Sequence, residues 1–303
     1  MQGHVRQNTW ESYEIIVRVH LKPALGMIPL AKLQPQAIRA FYDEKKSSGL
    51  SDQSVQYMHT VLNAALKQAV LDESIEKNPC TIASVRIKKP QRTKEINVLS
   101  QEQVNKLLAT ATDWHKIIFF IAWGTGLRRE ELLGLRWQDI DFKKGTLSVN
   151  TTVICTKAFG SMINKPKNAS YYRTIPISKE ILQDLKKYRL VVKSEQLNSL
   201  SYENNDLVFA RKDGKPRDPK RLSKDFKKFI ISAGLPEKFH LHDLHHTHAT
   251  QLLQLGVHPK VVQYRLGHST FQQTKDTYSH VFPQMQDSIA DMMSAMLQNK
   301  NQS

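Results

Sequence analysis

Thr125-Gly126-Leu127-Arg128-Arg129-Glu130-Glu131-Leu132-Leu133-Gly134-Leu135-Arg136 is a glycine turn that feeds a helix. Arg128 and Glu131 stand three residues apart, so they share one helix face and the carboxylate can hold the guanidinium. Taken alone, the pair reads equally well as an ordinary surface ion pair. Working outward, Ser100-Gln-Glu-Gln103 is a capping-box pattern opening a helix through Val104, Leu107 and Leu108. A helix over Ile117–Trp123 precedes the turn, and one from Arg129 to Leu135 follows it. Leu147–Val153 and Arg173–Ile177 have strand character, and the Lys-, Asn- and Ser-containing segment between them reads as a hairpin tip. Helices are expected again at Ser178–Leu190, Arg221–Ala233, Asp243–Leu255 and His258–Leu266. The reading is mainly α with a small β-sheet (α+β).

Toward the N-terminus the pattern is helical. Thr9 can cap a segment carrying Trp10, Tyr13, Ile16, Val17, His20 and Leu21, which Pro23 and Gly26 should stop. A second segment starts at Pro35, a good first-turn residue, and shows Ile38, Phe41 and Tyr42 before Gly49. A third starts at Ser51 or Asp52 with Val55, Met58, Val61, Leu62, Ala65, Leu66, Ala69 and Val70 along one side. These stripes predict a small helical bundle. Val85–Asn97 (VRIKKPQRTKEIN) is polar and basic, contains Pro90 and has no period, so it reads as a linker.

The whole chain has 303 residues, about two domains, and 40% of it is apolar, enough for real cores. Lys and Arg number 44 against 28 Asp and Glu, a net charge of +16. Residues 1–95 hold 14 cations and 9 anions, net +5, and the remainder is net +11. Basic charge on both parts fits one clamp around a polyanion, and two unrelated basic domains or plain solvated lysines would explain it too. Two cysteines, Cys80 and Cys155, exclude a disulfide scaffold. The longest apolar run, Ile117–Trp123, is far short of the ~20 residues that span a bilayer, and the first ten residues lack a signal-peptide core. The expectation is a cytoplasmic protein with no membrane partner.

Two further stretches are dense in reactive side chains. His240-Leu-His-Asp-Leu-His-His-Thr-His248 holds five of the twelve histidines. His242 and His246 have a spacing that can bind zinc on a helix, but no HExxH, cysteine or third ligand accompanies them, so no metal is assigned. The other is Arg265-Leu-Gly-His268 followed by Asp276-Thr-Tyr-Ser-His280, where Tyr278 could be a packing residue like any tyrosine.

Together and in this order, the three stretches resemble the tyrosine recombinase (phage integrase) family, most of all integrases of conjugative transposons and prophages. TGLRREELLGLRW is similar to that family's first arginine box. HDLHHTHATQLL lies at its His-x-x-Arg box, and LGH followed by DTYSHV lies at its second histidine and nucleophile. Pro166-Lys-Asn-Ala-Ser-Tyr-Tyr-Arg-Thr-Ile-Pro176 resembles the hairpin that presents its lysine. The resemblance runs from about residue 5 to 285. It implies a C-shaped clamp on double-stranded DNA: a helical core-binding (SAM-like) domain over 1–84, the basic linker over 85–97, a catalytic domain over 98–286, and a C-terminal tail over 287–303 that docks on a neighbouring protomer of a tetramer. In the tail, Ile289, Met293, Met296 and Leu297 share a helical face, which intramolecular packing would explain as well.

By the same resemblance Tyr278 is the nucleophile of a 3′-phosphotyrosyl intermediate. Arg128 is a donor to the transition state, supported by Glu131, and Lys167 is the general acid. His242 and His268 donate to the phosphate or tune the nucleophile. Lys88, Lys89 and Arg92 would contact DNA phosphates. Side-chain cations stabilise the charge, so no cofactor is implied. An excision or directionality factor is a possible partner, and the bacterial nucleoid the implied place of action.

The sequence departs from the family pattern at position 245, where histidine replaces the second arginine. Arginine carries a permanent charge and a fork of donors; neutral histidine has one donor. Loss of such a donor costs ~10²–10³-fold in rate. A change made to hold DNA uncut and a naturally weakened recombinase both explain it, and a silent DNA-binding protein is the alternative reading. The chain also begins almost directly in the core-binding part, as expected of a shorter member or of one lacking an arm-binding domain.

Overall fold

The computed structural model describes residues 7–82, 96–165 and 172–278. The chain divides into two compact units, residues 1–95 and 96–303.

In the first unit, α1 (Gln7–Ile16) passes through a π-helical turn, Val17–Leu21, into α2 (Lys22–Leu25). Thr9 lies inside α1 rather than capping it, and Pro23 does not end the helix. The reason is the widened turn: Lys22 N–H bonds the Val17 carbonyl, so the helix is already opened out where the proline ring must fit. Gly26 closes the segment with φ of −68°. α3 (Pro35–Ser47) opens with proline in its first turn, and α4 (Asp52–Leu71) is capped by Ser51, whose hydroxyl accepts the Ser54 N–H at 3.2 Å. Ile38, Phe41, Tyr42, Val55, Met58, Val61, Leu62 and Leu66 form the core with Ile16, Leu21 and Leu25. Ala65, expected in the stripe, is exposed. The short α5 (Pro79–Ile82) seals the end with Cys80, near the buried Tyr42 hydroxyl.

The second unit begins with α6 (Gln101–Thr110), where the Ser100–Gln103 capping box forms in full. α7 (Asp113–Thr125) is apolar nearly all round because it runs through the middle of the core. After α8 (Arg129–Gly134), β1 (Ile140–Asp141), β2 (Thr146–Val149) and β5 (Arg173–Pro176) form an antiparallel sheet in the order β1-β2-β5. The strand expected over 147–153 breaks at Asn150 and Thr151. Asn150 donates to Asp139 at 2.7 Å and the Thr151 hydroxyl bonds the Gly134 carbonyl, which turns the chain away. It then enters a separate hairpin, β3 (Thr152–Thr156) with β4 (Gly160–Asn164), where the sequence reads as the tip of one hairpin between the two expected strands. α9 (Lys179–Leu197), α10 (Pro219–Ser232), α11 (His242–Gln254), α12 (Pro259–Leu266) and α13 (Phe271–Tyr278) complete the unit. α11 is tied to its surroundings by Leu99 N–H to the Thr247 hydroxyl at 3.0 Å and by Trp123 Nε1 to Gln251 at 2.8 Å. Among the described residues no helix is long and apolar enough to cross a membrane.

Candidate active site

The site is built where the α7–α8 turn, β5, the start of α11 and the α12–α13 connection converge. Gly126 closes α7 with φ of +68°, a conformation that glycine adopts without penalty. A Cβ there would lie 2.6 Å from His248 Cδ2, so the close approach of α11 also needs glycine. Arg128 follows in extended backbone, and Glu131 folds back to accept the Arg128 backbone N–H at 2.9 Å. The same carboxylate accepts Arg128 Nη1 at 3.3 Å.

Glu131 is 2% exposed and holds a second guanidinium. Arg173, on β5, donates Nη1 and Nη2 to its two oxygens at 3.0 and 2.9 Å, the parallel fork that suits a carboxylate. Arg173 Nε donates to the Arg265 carbonyl at 2.7 Å, and Arg128 Nη1 to the Leu266 carbonyl at 2.8 Å. Two cations thus share one anion. Of the two, Arg128 is the more accessible: its side chain is 19% exposed while that of Arg173 is sealed off. An anion arriving at this surface meets Arg128 already aimed, at little cost in ordering.

Histidines form the opposite wall. His245 is buried; its Nδ1 lies 2.5 Å from the Gly126 carbonyl and its Nε2 3.4 Å from His268 Nε2. The His242 ring stacks on it at 5.0 Å and 14°. His268 Nδ1 is 2.8 Å from the Thr274 hydroxyl. Burial, then repulsion from cationic neighbours, keeps these rings neutral. It pushes His268 down to about 3, with Arg128 as the main charge against it, and His245 well below the usual imidazole range; His242 shifts the same way.

Tyr278 is fully buried against Ala249, Leu253, Val262 and Leu266. Its hydroxyl is 3.0 Å from His246 Nδ1 and its ring lies parallel to that of His268 at 6.4 Å and 8°. Burial raises the phenol's pKa and Arg128 partly opposes that, so the hydroxyl keeps its proton at neutral pH. Arg265 is committed elsewhere: it donates to His248 Nε2 at 2.8 Å and to the carbonyls of Pro176 and Gly124. It braces the turn and does not replace the arginine absent at 245.

Of the residues singled out from sequence, Arg128, Glu131, His242, His245, His268 and Tyr278 come together. Lys167 and the linker residues Lys88, Lys89 and Arg92 lie outside the described residues, as does the tail from 279. Among the described residues no three histidine, cysteine or acidic side chains gather to hold a metal. Sequence reasoning misses Arg173 and Thr274, and it weighs His246 only as a metal ligand, not as the partner of the Tyr278 hydroxyl. Strand alternation gives the signal for Arg173: β5 turns residues 173 and 175 inward, and an inward arginine requires an internal anion.

Residues 97–285 match the model described as the Phage integrase family, and residues 1–46 the Phage integrase, N-terminal SAM-like domain. The chain is 32% identical over 304 residues to "Tyrosine recombinase XerC-like" of Caldanaerobacter subterraneus subsp. tengcongensis, spanning 94% of this chain and 77% of that protein. It is 27% identical to the ICEBs1 integrase of Bacillus subtilis, over 96% and 79% of the two chains. In structure it is similar to the Tn1549 transposon integrase in complex with a circular intermediate DNA, with a TM-score of 0.77 at 25% identity over 91% and 90% of the chains. A lambda integrase tetramer bound to a Holliday junction has the same fold, with a TM-score of 0.66 at 18% identity over 91% and 72%.

Proposed function

The chain belongs to the phage integrase family and is a tyrosine-type site-specific recombinase that cuts and rejoins DNA to insert or excise a mobile element; on that premise we propose that Tyr278 is its nucleophile and the cluster around Arg128 its phosphate-activating site. The observation that carries the assignment is the convergence of the Tyr278 hydroxyl, the Glu131-braced Arg128 and three histidines in one corner of the second unit.

The reaction is a transesterification. The Tyr278 oxygen attacks the phosphorus, and the bond to the 5′-oxygen breaks as the 3′-phosphotyrosyl bond forms. His246 Nδ1, the phenol's present partner, accepts its proton. Lys167 protonates the departing 5′-oxygen. Arg128 donates to the non-bridging oxygens, where charge builds up, and Glu131 with Arg173 keeps its guanidinium oriented. The broken linkage is conserved as a phosphotyrosyl ester, so the reverse attack by a new 5′-hydroxyl restores DNA without an external energy source.

Around this chemistry, residues 1–84 serve as the core-site DNA-binding domain and 98–286 as the catalytic domain. The linker over 85–97 brings Lys88, Lys89 and Arg92 to phosphates. Four copies assemble on the recombining sites, joined through residues 287–303, and an excision factor sets direction. The protein then works on the bacterial nucleoid. The test is incubation with a nicked duplex carrying the end of the element that encodes the chain. A denaturant-resistant protein–DNA adduct is expected, and its persistence in Tyr278→Phe would rule the assignment out.

A further inference from the structure

His245 and His268 meet nitrogen to nitrogen at 3.4 Å, and their outer partners decide which one supplies the hydrogen. The Gly126 carbonyl can only accept, so His245 Nδ1, 2.5 Å away, donates and carries the hydrogen. The buried ring is neutral, so its Nε2 bears a lone pair. His268 must therefore donate from Nε2. Its Nδ1 is left to accept the Thr274 hydroxyl at 2.8 Å. Every hydrogen from Thr274 to Gly126 is then assigned, and the chain of bonds has one direction.

This direction is wrong for binding phosphate. Where the family pattern has an arginine, the ring turns a lone pair toward the shared space, and the N–H of His268 is spent on satisfying it. One proton on His245 Nε2 inverts both. His245 then donates from both nitrogens, and the two Nε2–H groups point into the same space, an arrangement that only an anionic oxygen between them satisfies. Resting on the reading of this site as the phosphate-activating centre, we propose that His245 acts on the scissile phosphate only as an imidazolium, so that strand cleavage is gated by a single proton at the His245–His268 contact.

The groups facing His245 set the terms. Its own helix supplies His242, stacked on it, and His246, edge-on at 5.7 Å. The α7–α8 turn supplies Arg128 and the Gly126 carbonyl, and the α12–α13 connection supplies His268. Among the described residues, Arg128, His242 and His268 oppose the proton and the Gly126 carbonyl favours it. The negative charge of a bound phosphodiester overturns that balance, so DNA engagement and proton uptake are coupled.

The test compares full-length protein with His245→Arg and His245→Gln on the nicked duplex described above, between about pH 6 and 8.5. Adduct formation is read at each pH as the ratio of wild type to each variant, which cancels the titration of nucleophile and leaving group that all three share. The gate predicts a ratio that rises as pH falls, by about tenfold per pH unit above the His245 pKa in the complex. Glutamine gives a reference without a titrating group should arginine fail to fold in this buried position. Adduct formation with level ratios overturns the gate and leaves Tyr278 in its role. No adduct from any of the three at any pH overturns the reading on which the gate rests.

Discussion

Arg173 and Glu131 face each other inside the second unit with two parallel hydrogen bonds of 3.0 and 2.9 Å, and neither side chain is in appreciable contact with water. Breaking such a buried pair by removing one member costs about 3–5 kcal/mol, because the survivor is left charged in a low-dielectric setting. Glu131→Gln takes the shared carboxylate charge from two guanidiniums at once, so it should lower Tm strongly and depress cleavage. Glu131→Gln combined with Arg173→Met should recover much of the Tm but not the cleavage, since Arg128 still lacks its brace. Calorimetry alongside adduct formation separates the two effects; equal recovery of both would contradict a positioning role for the pair.

Gly267 sits at φ of +65° at the end of α12, and a Cβ there would lie 2.6 Å from Arg173 Nη1. Gly267→Ala should cost about 1–2 kcal/mol from backbone conformation alone, with a further loss from displacing the guanidinium. The Gly267 carbonyl also lies 3.4 Å from Arg128 Nη2, so cleavage should fall more than DNA binding does. Chemical denaturation and gel-shift binding measure the two.

Acid should destabilise the catalytic unit through its buried histidines. His248 and His268 are held down at about 3 against an ordinary 6.5, first by burial and then by Arg265 and Arg128 respectively. The folded protein keeps them neutral while the unfolded chain takes up protons below about 6.5, so the unfolded state binds more protons and stability falls as pH drops from about 6.5 toward 3. Tm at about pH 5 should lie several degrees below Tm at about pH 7.5. His248→Gln, which can still accept from Arg265, should show a smaller drop. An identical acid slope in both proteins would remove His248 from this role.

Cations outnumber anions in both units, and displacement of condensed counterions makes binding by such a surface fall steeply with salt. The logarithm of the DNA association constant should decline linearly with the logarithm of salt concentration. Replacing Lys88, Lys89 and Arg92 with alanine should flatten that slope by about one unit for each phosphate no longer neutralised. An unchanged slope would take these residues off the phosphates.

Much of this was legible in the sequence because it is local. The Ser100–Gln103 box and the Gly126 turn are decided within a few residues and form as read; Arg128 and Glu131 do meet, but with Arg128 as the extended N-cap and Glu131 folding back to it rather than on one helix face. The histidine box and Tyr278 were singled out through resemblance alone, and their roles stay a proposal. What escaped was non-local or a matter of protonation. Arg173 is 42 residues from Glu131, and nothing in its own segment names the partner. His246 was weighed only for a zinc pair with His242 until the fold set it against the Tyr278 hydroxyl. The break at Asn150 and Thr151 depends on Asp139 and Gly134, which no strand pattern reports. Pro23 misled because a stop signal was accommodated by a π-turn just upstream.

In this scheme one phenolic oxygen takes the DNA strand. Adduct trapped on the nicked duplex, digested and mapped by mass spectrometry, should carry the 3′-phosphoryl nucleotide on the peptide containing Tyr278 and lose it in Tyr278→Phe. A nucleotide attached at another residue, or an adduct undiminished in that variant, would contradict it.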